Sequence, residues 1–337
     1  MSGREDGSGG ISARCPHGCL GEYFLKRNLS NCVRALFGPR HTWSYASTAT
    51  RLSRDFDARL DDAFARVHDE VKACDDQPVF IFSAGWRSGS TLLQRMLMQH
   101  NEKIVMWGEP YHLSNIFDGL ANQFRAFTSG WPKASHFLST LGRDGLADQW
   151  VANLYPDVDD LVIAHREFLN SLFARPAYRA GASCWGMKVV RLSIEHATYL
   201  HKLFPKCKTI FLCRDPVHSY ASFRTVYDAW FARWPDKVVA TPYAFGKHWA
   251  RLTEGYLAGY RGIGGVFIRY EDLDSSEHVS RLSQYLGWPV SCASELQRIV
   301  GGIGGVAGDK KPKLPYSDRK ILAMVTGRVR RMAGYRD

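Results

Sequence analysis

The chain has 337 residues, 45% of them hydrophobic, and a formal net charge of +11, so it can bury a full core as one large α/β domain with decorations. No apolar run approaches the roughly 18 to 20 residues that span a bilayer, and the N-terminal stretch "MSGREDGSGGISARCPHG" lacks the apolar core of a secretory signal. Eight cysteines are too sparse for a disulfide framework. The basic balance points to an anionic substrate or partner, although no Lys/Arg block is long enough to read as a nucleic-acid arm.

Residues 1 to about 20 are rich in Gly and Ser, which predicts a disordered tail on a cytoplasmic protein with reduced thiols. Within it, "CPHGC" brings Cys15, His17 and Cys19 together, but a zinc site wants four ligands in a recognised pairing and no second cluster accompanies them. No metal is expected there. Residues 21–77 form an N-terminal helical segment, in which Leu52, Phe56, Leu60, Phe64, Val67 and Val71 recur at helical spacing. After Gln77 and Pro78 comes the first strand, Val79 to Ser83.

Three further strands are predicted: Cys184 to Val190, Lys208 to Cys213 and Gly265 to Tyr270. Helical patterns such as "SIEHATYLHKLF" and "SSEHVSRLSQYLG" flank them. Strands alternating with helices imply a parallel sheet covered on both faces, with ligands at the carboxyl ends of the strands. Between 114 and 182 the pattern loosens and aromatics accumulate, a helical insert that reads either as an acceptor wall or as ordinary helix packing. Near the C-terminus, 301–320 is Gly-rich and carries Lys310, Lys311, Lys313, Arg319 and Lys320. It reads as a mobile flap over an anion or as a basic linker.

The chemistry concentrates in "VFIFSAGWRSGSTLLQRML". A strand, a turn with Gly85 and Gly89, and a helix start present backbone N–H groups and a positive dipole end to an oxyanion. Ser88, Ser90 and Thr91 add hydroxyls, and Arg87 adds a permanent charge with a planar fork suited to phosphate or sulfate. A Walker loop would read G-x-x-x-x-G-K-[ST]. Here the glycines are one residue too close and Leu92 stands where lysine is required.

With the turn Gly85–Trp86–Arg87–Ser88–Gly89 and the stretch "RSGSTLL" after a strand, this region resembles the 5′-phosphosulfate loop of sulfotransferases that use 3′-phosphoadenylyl sulfate. "LFPKCKTIFLCRDPVHSYASF" resembles that family's 3′-phosphate segment, with Arg214 at a strand end and Ser222 two helical turns after Pro216. "RYEDL" is similar to the strand that ends beside the adenine, which places Tyr270 there. The resemblance implies a P-loop-like parallel α/β fold over 78–337, the 3′-phosphoadenylyl sulfate donor, adenosine 3′,5′-bisphosphate as product, and no catalytic metal. It further implies cofactor contacts by Gly85 to Leu92, Arg214, Ser222 and Tyr270, with Lys310 and Lys311 in the flap.

In the branches that carry Arg at the position of Arg87, a glutamate after the first helix is the base, and "WGEPYH" supplies Glu109 at a matching place, with His112 as reserve. Lys188 in "WGMKVV" stands where family members often place a lysine in the site, and as a strand residue on a polar face it reads equally as solvated. The acceptor implied is a hydroxyl on a small molecule, carbohydrate or lipid. Two other classes stay open: a P-loop kinase, which would need the missing lysine and a magnesium-binding acid, and an inactive nucleotide-binding module, which would keep Arg214 and Ser222 without a base.

Overall fold

Val79, Ile81, Phe80 and Phe82 alternate along one fully buried strand and feed two separate apolar cores, which places that strand at the centre of a sheet covered on both faces. The computed structural model describes residues 55–99, 101, 103–109, 116–147, 151–224, 239, 241–296 and 314–335, all within a single unit, Tyr45–Asp337. The principal elements in chain order are α1 (Phe56–Phe64), β1 (Val79–Ser83), α2 (Ser90–Met98), β2 (Ile104–Trp107), α3 (Val158–Leu169), β3 (Cys184–Val190), α4 (Ile194–Leu203), β4 (Lys208–Cys213), α5 (Pro216–Arg224), α6 (Pro242–Gly259), β5 (Val266–Arg269), α7 (Ser276–Leu286) and α8 (Tyr316–Met332).

The five strands are all parallel and lie in the order β2-β3-β1-β4-β5. From β1 the chain leaves towards β2 on one side, and from β4 it leaves towards β5 on the other. The crevice between the carboxyl ends of β1 and β4 is therefore the topological switch point, where open α/β sheets bind ligands. Ser83 is in register with Val190 on one side and Leu212 on the other. The loops after β1 and β3 consequently begin at one level, with β4 running one residue further.

One core joins Phe80, Phe82, Trp185 and Phe211 of the sheet to α1, α4 and α6. The other joins Val79, Ile81, Ile210 and Leu212 to α2 and α7. Helix α8 packs on α6 at such short range that a Cβ on Gly246 would stand 2.5 Å from Val325 Cγ2. Glycine is what allows that approach.

Two expectations change. Strand β2, "IVMW", was not read from the sequence: four apolar residues cannot be told from a helix end by period alone. The single helix expected across 52–71 is interrupted after Phe64 and resumes only as a turn at Asp69–Lys72. The reason is tertiary. The backbone amide of His68 donates to Asp159 Oδ1 at 2.9 Å instead of to a helix carbonyl, and the Arg66 side chain donates to the carbonyls of Pro132 and Thr128 at 2.7 Å each.

Within the insert, Phe117, Phe124, Phe127, Phe137 and Phe173 are buried in the first core, while Trp131, Phe168 and Tyr178 are exposed. The predicted tail 1–20, with Cys15, His17 and Cys19, lies outside the described residues, as does most of the flap 301–320. The five described cysteines are unpaired. Among the described residues, no helix is long and apolar enough to cross a membrane.

Candidate active site

The loop after β1 is held from inside. Ser83 Oγ and Ser88 Oγ both bond the Gly85 carbonyl, at 3.0 and 2.9 Å, and the two hydroxyls touch each other. The Ser88 hydroxyl, expected to face an anion, is thus occupied in shaping the turn. Arg87 has φ 61 and Gly89 φ 90, both in the left-handed region that an L side chain rarely occupies. At Gly89 a Cβ would stand 2.1 Å from Tyr270 Cδ2, so the ring of Tyr270 lies directly on the loop backbone. Trp86 is 4% exposed, stacked on Phe223 at 5.6 Å and covered by the Arg191 guanidinium at 4.1 Å. This stack anchors the residue next to Arg87.

Arg87 and Arg214 meet at the switch point. Arg87 Nε donates to Ser222 Oγ at 3.0 Å, which joins the loop after β1 to helix α5. Arg214 Nη1 donates to the Arg87 carbonyl at 3.2 Å, its guanidinium lies over the Tyr270 ring at 4.2 Å, and its own carbonyl accepts from Trp249 Nε1 at 3.0 Å.

Among the described residues neither guanidinium pairs with a carboxylate, and Arg214 Nε is buried without a hydrogen-bond partner. Burial, and secondarily the charge of Arg214, lower the pKa of Arg87. A buried unsatisfied donor beside two like charges is costly in isolation. An oxyanion placed there relieves both costs.

A second group forms beside it. Lys188, in register with Ile81 on β3, donates to Glu109 Oε1 at 3.1 Å and to Thr91 Oγ1 at 3.2 Å. The Lys188 side chain is 10% exposed and that of Glu109 26%. Lys188 therefore orients the carboxylate and ties it to the first turn of α2, whose amides belong to the cradle. The carboxylate keeps access to solvent while its partner is enclosed.

The structure thus brings together Gly85, Trp86, Arg87, Ser88, Gly89, Ser90, Thr91, Arg214, Ser222 and Tyr270, and separately joins Glu109 to Lys188. Leu92 turns its side chain to the second core. His112, Lys310 and Lys311 lie outside the described residues. Sequence reasoning missed Arg191, one residue beyond β3 with φ 72, and Trp249. A basic residue just past a strand end was the only signal for the first, and for the second there was none.

A family model described as the sulfotransferase family matches residues 78–291. Among solved structures, the sulfotransferase domain from the curacin biosynthetic pathway is 19% identical, with 78% of this chain and 99% of that chain covered at a TM-score of 0.45. The sulfotransferase domain from the Synechococcus PCC 7002 olefin synthase is 20% identical, with 79% and 98% covered at 0.43. A sulfotransferase from Alicyclobacillus acidocaldarius is 14% identical, with 77% and 97% covered at 0.38. No curated protein matches the chain.

Proposed function

Because the chain belongs to the sulfotransferase family, matched over residues 78–291, we propose that its donor is 3′-phosphoadenylyl sulfate and that Glu109 is the base towards a hydroxyl on a small molecule, carbohydrate or lipid. The observation that carries the donor assignment is the paired Arg87 and Arg214, without a carboxylate partner among the described residues and with one buried guanidinium N–H unsatisfied. An ATP–magnesium site would instead ask for a lysine where Leu92 stands.

In this reading the amides from Arg87 to Thr91 and the Arg87 guanidinium hold the 5′-phosphosulfate, while Arg214 and Ser222 hold the 3′-phosphate. Tyr270, pressed on Gly89 and under Arg214, gives the nucleoside an aromatic wall. The acceptor oxygen attacks sulfur, the bond from sulfur to the phosphate oxygen breaks, and that oxygen leaves with the electron pair. Arg87 and the loop amides stabilise the charge that develops on it, as preorganised donors do in other group transfers.

Glu109 takes the acceptor proton. Lys188, bonded to Glu109 Oε1 and Thr91 Oγ1, keeps the carboxylate aligned with the cradle. General-base removal typically costs about 10²- to 10⁴-fold in rate. The test is incubation with radiolabelled 3′-phosphoadenylyl sulfate and a panel of phenolic, sugar and lipid alcohols. Label transfer by the wild type, lost in Glu109→Gln, is the expected result. Undiminished transfer by Glu109→Gln removes Glu109 from the mechanism.

A further inference from the structure

Helix α8 and the turn after it lie beyond residues 78–291, the stretch that carries the family match, yet they reach one residue of the switch point from two sides. Arg330 Nε and Nη2 donate to Asp215 Oδ2 at 3.1 and 2.8 Å, in an ion pair whose side chains are 14% and 8% exposed. Asp215 Oδ1 accepts from the amides of Val217 and His218 at 2.8 and 3.2 Å, in the first turn of α5. The amide of Asp215 donates to Glu271 Oε1 at 3.2 Å, and Glu271 Oε2 accepts from the Tyr335 hydroxyl at 3.0 Å. Both the carboxylate and the amide of Asp215 are therefore fixed through C-terminal residues.

Asp215 adjoins Arg214, so whatever fixes its peptide also fixes the base of the Arg214 side chain. A buried ion pair adds little net stability against a well-packed apolar alternative. Two donors from one guanidinium add orientation instead. Helix α8 can supply that orientation because it is itself anchored: Arg224 Nη1 bonds Asp318 at 2.7 Å, Arg269 Nη1 bonds the Gly334 carbonyl at 2.7 Å, and Gly246 admits Val325.

We propose that Arg330 and Tyr335 are positioning residues for the 3′-phosphate end of the donor site, holding the Arg214–Asp215 turn so that the Arg214 guanidinium stays over Tyr270 at the switch point. The inference rests on the donor reading of Arg214 given above. It assigns a role in donor binding to a part of the chain that the family match does not include.

The test is calorimetric titration of the full chain with adenosine 3′,5′-bisphosphate, well below the Tm of each variant. Arg330→Met weakens binding by about five- to fiftyfold, Arg330→Lys recovers part of the loss, and Tyr335→Phe weakens it by about two- to fivefold, the range expected of residues coupled through one network. Arg328→Met, on α8 like Arg330, breaks the exposed pair with Glu254 of α6 and the bond to Met332 Sδ and leaves binding unchanged.

If Arg330→Met and Tyr335→Phe bind as the wild type does while Arg214→Ala loses binding, the C-terminal network is structural only and the proposal falls. If Arg214→Ala itself binds normally, the donor reading falls and takes the proposal with it. Should Arg330→Met fail to fold, Tyr335→Phe, which removes a single hydroxyl, decides alone.

Discussion

The switch point and the insert both bury charged and polar side chains, but they treat them in opposite ways. In the insert and the neighbouring α4, Arg166, His165, His196 and Asp118 have protein partners, while His136 Nδ1 and Asn170 Oδ1 of the insert are buried without one. Arg166 donates to the carbonyls of Leu203 at 2.5 Å and Lys72 at 3.2 Å and also bonds that of Val71. His165 lies between Tyr199 Oη at 2.9 Å and Gln123 Oε1 at 3.3 Å, and His196 links Ser193 to Asp118. These networks close on themselves. At the switch point Arg87 and Arg214 face each other without a carboxylate among the described residues, and one N–H of Arg214 is unsatisfied. A closed network reads as architecture, and an open one as a place for a ligand.

The sharpest way to break that contrast is to change the chemistry of the open region without disturbing its shape. Glu109→Gln is expected to lower turnover by about 10²- to 10⁴-fold while leaving bisphosphate affinity as in the wild type, measured by initial rates and titration side by side. Arg87→Met comes next, with kcat/KM down by about 10²- to 10³-fold, the scale for losing one preorganised charge donor. Its Tm without ligand stays level or rises, because the opposing charge of Arg214 is relieved. A large drop in ligand-free Tm would place Arg87 with the closed networks instead.

Arg166→Met makes the complementary test. It leaves three carbonyls without their donor, and a loss of about 3 kcal/mol in unfolding free energy is expected from denaturant titration, with bisphosphate affinity unchanged. A further effect, of similar size, concerns pH. Burial holds the pKa of His165 down at about 4, against 6.5 for the free side chain, so the folded protein keeps it neutral while the unfolded chain protonates it below about pH 6.5. Its contribution is fully present above that value and declines as pH falls from 6.5 towards 4, by up to roughly 3 kcal/mol. In His165→Gln the fall in Tm between pH 7 and 4.5 is correspondingly shallower.

Much of the open region was legible because its parts are local. Strand β1, the glycines at 85 and 89, and the basic residue between them occupy one short stretch, and Pro216 at the start of α5 fixes where Ser222 falls. That Arg87 bonds Ser222, 135 positions away, was not read from the sequence, which carries no pairing signal between the two motifs.

The closed networks were not legible. At the break in the helix after Phe64 the His68 amide bonds Asp159, 91 positions away. Arg330 and Asp215 are 115 positions apart, on elements whose packing no hydrophobic period encodes. The sequence also left Lys188 between a solvated and a site-facing role. Its enclosure between Glu109 and Thr91 depends on β3 lying next to β1, a neighbour relation that the order of strands in the chain does not reveal.

The open region is set apart from the closed networks by the anion it holds. Calorimetric titration of the wild type with adenosine 3′,5′-bisphosphate, run beside ATP with magnesium and repeated on Arg214→Ala, tests it most directly. Saturable binding of the bisphosphate, loss of that binding in Arg214→Ala, and little heat from ATP with magnesium are expected. Tight binding of ATP with magnesium and none of the bisphosphate would contradict the donor reading.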